Sequence, residues 1–126
     1  MAGIYIVMSG ANIGLGGMKT LGLAGSRNFF EVTQQHAYFI QDSHVRFVGG
    51  VWLATGLMFL FTVANLQKFH KVLYILCFQI LIGGLARISQ DNFSITFGPS
   101  IIGPILAEIF GAPILSFWIY KTFKYS

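Results

Sequence analysis

The sequence predicts an all-α integral membrane protein, a bundle of four transmembrane helices forming one domain over residues 1–126. Three observations carry that prediction. Hydrophobic residues make up 55% of the chain and charged residues only 10%, against about 25% charged in an ordinary soluble domain. The mean hydropathy is +0.70. The apolar residues fall into runs that can cross a hydrocarbon core of about 30 Å as helices, with polar breaks between them.

The first span, about residues 3–24, is rich in glycine (Gly3, Gly10, Gly14, Gly16, Gly17, Gly22) and carries Asn12 and Lys19. Glycine is tolerated in membrane helices and lets a neighbouring helix come close. A tightly packed helix with its C-terminal end at the interface is expected. An interfacial connection over 25–44 follows. Its Phe29, Phe30, Tyr38 and Phe39 suit a short helix or loop lying at headgroup level. The second span, 45–66, has one charge, Arg46, at its start; the third, 72–88, has one, Arg87, near its end. The short polar break at 65–71 predicts an antiparallel hairpin. The fourth span, 101–120, contains Glu108 and no other charge, and Trp118 and Tyr120 mark its edge as an aromatic belt.

Eight basic residues against four acidic give a net charge of +4. The basic residues are scattered, with no patch of the kind nucleic acid requires, so no nucleic-acid partner is expected. The excess reads as a topology signal and as attraction to anionic lipid headgroups. Lys68, Lys71, Lys121 and Lys124 fall on one side of the bilayer; Lys19, Arg27, Arg46 and Arg87 fall on the other. Turning Arg46 and Arg87 inward tips the balance and predicts both termini in the cytoplasm. The N-terminus has no basic n-region and no A-x-A site, which argues against a cleaved signal peptide. Cys77, the lone cysteine, lies in an apolar run and reads as core packing.

Glu108 is the most informative residue. An acid within a span costs about 2.5–3.5 kcal/mol on insertion scales and needs a partner or a wet cavity. It lies seven residues beyond Ile101, about 10 Å deep at 1.5 Å per residue. Alternating topology brings Arg46, Arg87 and Glu108 to one leaflet. Asp42, four residues before Arg46, shares its helix face, and His44 and Asp91 lie at the same surface. Small residues flank each charge: Gly49 and Gly50 after Arg46, Gly83 and Gly84 before Arg87, Gly111 after Glu108. With Gly10 and Gly14 these are the expected helix-packing positions. Four readings of the cluster stay open. It is a buried ion-pair network that fixes helix register; a site for a lipid headgroup or amphiphile, since guanidinium matches phosphate in two-point fashion; a proton-linked transport site through Glu108; or a catalytic site.

Other motifs carry less. Ser9 to Gly16 after an apolar run looks like a dinucleotide-binding glycine fingerprint, but no alternation of strands and helices follows. Gly10 and Gly14 are better read as a helix-packing pair. His36 and His44 flank Asp42, eight residues apart with no cysteine, which is weak for a metal. No metal site and no cofactor is expected. No serine sits in a nucleophile elbow.

The segment Asp42-Ser43-His44-Val45-Arg46-Phe47-Val48-Gly49-Gly50-Val51-Trp52, with Arg87 late in the third span and Glu108 in the fourth, resembles a family of small four-span bacterial membrane proteins known as domain-of-unknown-function family 4345. The resemblance covers nearly the whole chain and is weakest in the first span. It implies an inner-membrane helical bundle and no settled activity. The leading expectation is a non-enzymatic cell-envelope protein that binds a lipid headgroup, an amphiphile or an envelope protein partner through Arg46, Arg87, Glu108, Asp42 and His44, near the periplasmic leaflet. Membrane lipids are the expected partners, and small-residue stripes suit a homo-oligomer, a dimer or a trimer. The alternative is a small transporter or proton-linked permease that uses Glu108.

Overall fold

The computed structural model describes residues 1–20, 31–89, 93–99 and 101–124, without the side chain of Ile95. Every element among these residues is a helix or a helical turn. In order they are α1 (Ala2–Gly16), a 3-10 turn (Gly17–Lys19), α2 (Gln35–Ala64), α3 (Leu66–Ile88), a short α4 (Phe93–Thr96), α5 (Ile102–Leu106), a π-helical turn (Ala107–Gly111) and α6 (Ala112–Phe123). The last three run on as a single helix, Ile102–Phe123. The chain divides into two compact units, Met1–Ala64 and Asn65–Ser126.

Among the described residues, three helices are long and apolar enough to cross a membrane: Gln35–Ala64, Leu66–Ile88 and Ile102–Phe123. Their outward faces are apolar. Phe47, Val51 and Phe61 on α2, Ile75, Phe78 and Ile82 on α3, and Ile114, Phe117 and Trp118 on α6 are all exposed. The buried positions include Ser9, Asp42, Thr55, Thr62 and Thr96. This pattern suits lipid as the surrounding medium, because water would penalise so much contiguous apolar surface. The buried hydroxyls are satisfied locally: Thr55 donates to the Val51 carbonyl and Thr62 to the Phe59 carbonyl, each at 2.9 Å.

In the first unit, α1 lies antiparallel against α2. Gly3 faces Phe59 and Leu60, Gly10 faces Trp52 and Leu53, and Gly14 faces Gly49 and Gly50. The backbones nearly touch. A Cβ at Gly10 would stand 2.6 Å from Leu53 Cα, and one at Gly49 would stand 2.6 Å from Gly14 Cα. Contact this close rests on packing of small residues, the usual source of helix association in lipid. The Trp52 indole fixes the register by donating to Ser9 Oγ at 3.1 Å.

In the second unit, α3 and the closing helix are also antiparallel. His70 stacks on Phe123 with ring centroids 4.7 Å apart, buried Cys77 shares a hydrogen bond with Ser116, and Gly84 lies against Glu108. Pro113 has no N–H to give to the turn before it. A local widening there costs less than it would elsewhere in the helix, and the π turn sits at that place.

Several boundaries differ from the expectation. Residues 35–44 belong to α2 and not to an interfacial connection. Helical hydrogen bonding continues past the apolar stretch, so the end of the hydropathic run is not the end of the helix. The polar break at 65–71 shrinks to Asn65, whose side chain caps α3 by accepting the Lys68 N–H at 3.4 Å. The described part of the first span is α1 and the 3-10 turn, and residues 21–24 lie outside the described residues. So do 25–30, with Arg27, Phe29 and Phe30, and likewise Asp91.

Candidate functional site

Among the described residues, each unit contains one acid–arginine pair. In the first, Asp42 and Arg46 sit four residues apart on α2, on one helix face. Arg46 Nε donates to Asp42 Oδ2 at 2.6 Å. The other carboxylate oxygen, Oδ1, accepts the Met18 N–H at 2.8 Å. The guanidinium then reaches the end of α1. Nη1 donates to the Leu15 carbonyl and Nη2 to the Gly16 carbonyl, the latter at 3.4 Å. The pair therefore closes α1 from the neighbouring helix. Its cation meets carbonyls at the negative end of the helix dipole, and its acid takes an N–H from the turn beyond. Gly17 makes the turn with φ +65°. A Cβ there would also collide with the Asp42 carboxylate, so only glycine fits both the backbone and the space.

This corner opens into a cleft of about 340 Å³. Gln35, Tyr38, Phe39, Asp42 and Arg46 line it from one face of α2, and Lys19 and Val32 complete it. Its walls are thus part apolar and part cationic.

In the second unit, Glu108 projects from the π turn. Arg87 grips it at two points, Nε to Oε2 at 2.7 Å and Nη2 to Oε1 at 3.0 Å. Two parallel bonds to both oxygens give the strong, geometrically specific form of this contact. Gly84, one turn before Arg87, lets α3 approach the π turn: a Cβ there would stand 2.8 Å from Glu108 Cβ.

A family model described as a domain of unknown function, DUF4345, matches residues 1–119. The chain belongs to the DUF4345 family. No curated protein and no solved structure matches it.

In this family member the residues singled out from sequence fall into two groups. Asp42 and Arg46 come together, and Arg87 and Glu108 come together. His44 is exposed on α2 and does not line the cleft. Among the packing glycines, Gly10, Gly14, Gly49 and Gly84 mark close approaches, whereas a Cβ at Gly50, Gly83 or Gly111 would meet no atom within 4 Å. Among the described residues, no group of three or more His, Cys, Asp or Glu is placed to hold a metal ion. Sequence reasoning missed Lys19 as a site residue. Its position at the glycine-rich end of the first span, among so few charges, was the available signal.

Proposed function

We propose that this DUF4345 protein is a four-span, non-enzymatic protein of the bacterial inner membrane that holds an anionic amphiphile at the Asp42–Arg46 end of its first helix pair. The observation that carries this reading is the cleft itself. It joins the cations Lys19 and Arg46 to the apolar walls Val32 and Phe39, at one end of a helix apolar enough to cross a membrane.

The register of the first unit supports a membrane position for α1 as well. Helix α2 has 30 residues, about 45 Å at 1.5 Å per residue, so it outruns a 30 Å core by about ten residues. Helix α1 lies along the Gly49–Leu60 stretch and contains no charged side chain. Ile4, Tyr5 and Met8 on its outer face are exposed. A helix that pairs with the membrane stretch of α2 and shows such a face belongs in the bilayer. The cleft end then lies where α2 emerges, at headgroup level. With Arg46 and Arg87 discounted as ion-paired, Lys68, Lys71, Lys121 and Lys124 favour a cytoplasmic position for their own side by the positive-inside rule, which supports an outer-leaflet cleft and termini inside.

Thermal unfolding in detergent tests the binding reading. A ligand that binds only the folded state raises stability as its concentration passes its Kd. Added oleate or phosphatidylglycerol should raise the midpoint, and phosphatidylcholine at the same concentration should not. Shifts from both anions no larger than that from phosphatidylcholine would remove the reading.

A further inference from the structure

Among the described residues the cleft lining has three charged groups, and two of them are already engaged. Asp42 is only 8% exposed and uses both oxygens, one on Met18 N–H and one on Arg46 Nε. Arg46 spends Nε on Asp42 and a donor from each of Nη1 and Nη2 on the carbonyls of Leu15 and Gly16. Three of its five N–H donors are therefore committed to closing α1. Lys19 differs. It is exposed on the 3-10 turn at the cleft wall, and among the described residues its ammonium has neither an ion pair nor a hydrogen bond. Two cations against one carboxylate leave the lining with one net positive charge. A single negative charge balances it. A second would find no further cation among the described lining residues and would face Asp42.

From this we infer that Lys19 is the residue that contacts the ligand's charge, that Arg46 positions the corner, and that the ligand is a monoanionic amphiphile. Its charged group is one carboxylate or one phosphodiester, and its chain lies along Val32 and Phe39. This deepens the proposed amphiphile-binding reading and rests on it. The competing view is that Lys19 is a solvated lysine at a helix end, which favours the dipole and touches no ligand.

The test is a binding titration on the purified full chain in detergent, with fluorescent oleate, phosphatidylglycerol, doubly charged phosphatidic acid and phosphatidylcholine as probes. The proteins are wild type, Lys19→Gln, Lys19→Arg and, as a control from the opposite end, Lys68→Gln. Lys19 is exposed, so its variants should fold, and circular dichroism verifies that they do. Wild type should bind a monoanion and leave phosphatidylcholine unbound. Lys19→Gln should weaken the monoanion about five- to tenfold, the scale of one lysine beside an anionic headgroup. Lys19→Arg should restore it, and Lys68→Gln should match wild type. Oleate alone, phosphatidylglycerol alone or both as ligands would each support the inference and identify the source of the charge. Unchanged monoanion binding in Lys19→Gln would overturn the role of Lys19 and leave the amphiphile reading standing. Tighter binding of phosphatidic acid than of either monoanion would overturn the charge assignment. No preference for any anion in wild type would overturn the amphiphile reading itself, and this inference with it.

Discussion

Glu108 holds Arg87 with both carboxylate oxygens, at 2.7 and 3.0 Å, from a turn of helix that is itself widened. An isolated acid in a span is costly, and this one has a cation in fork geometry. The carboxyl is 13% exposed and the arginine 47%. The pair is therefore mainly a means of making Glu108 tolerable where the helix places it.

Removing one partner should then cost more than removing both. Arg87→Leu should destabilise the protein by roughly 2 kcal/mol, below the 3–5 kcal/mol of a fully buried pair because Arg87 is half exposed. The double variant Arg87→Leu/Glu108→Leu should be no less stable than Arg87→Leu alone. Unfolding in mixed detergent with added denaturing detergent reads both. Simple additivity of the two substitutions would refute the pairing argument.

Gly84 and Gly83 are neighbours in sequence and should behave oppositely. Gly84→Ala puts a methyl 2.8 Å from Glu108 Cβ and should cost about 1–3 kcal/mol by overpacking. At Gly83 the added methyl meets nothing within 4 Å, so alanine should be neutral or stabilising by up to about 1 kcal/mol through helix propensity. The thermal midpoints of the two variants decide this.

The same contrast holds in the first unit. Gly49→Ala drives a methyl into the backbone of α1 near Ile13 and Gly14, whereas Gly50→Ala points into open space. Gly49→Ala should separate α1 from α2, break the Trp52–Ser9 bond and increase protease cleavage of the first unit. Gly50→Ala should leave the cleavage pattern unchanged. Equal sensitivity in both would count against the register described for α1 on α2.

The proposed four spans require both termini on the same side. Reporter fusions that fluoresce only in the cytoplasm should be bright at either end. A dark N-terminal fusion beside a bright C-terminal one would mean that α1 does not cross.

The charged residues that form the two ion pairs were legible in the sequence, because Asp42, Arg46, Arg87 and Glu108 stand out against so apolar a background. Their pairing was not. Arg46 reaches Leu15 and Gly16 only because α1 lies antiparallel on α2 in one register, and that register comes from backbone contacts at Gly10 and Gly49 that no spacing rule reports. Hydropathy picked out the apolar run of α2 but not its first ten residues, since Gln35, His36 and Gln41 continue a helix that has left that run. Pro113 lies five residues after Glu108 and was the one trace of the π turn. Lys19 looked like an interface marker until the fold put Arg46 to other use beside it.

The most direct test of amphiphile binding is native mass spectrometry of the protein released from membranes in mild detergent, with Lys19→Gln beside wild type. Wild type should retain one anionic amphiphile per chain, and Lys19→Gln should lose most of it while keeping its fold. Wild type without any bound amphiphile, in a folded state, would contradict the account and leave the Asp42–Arg46 corner as a device for ending α1.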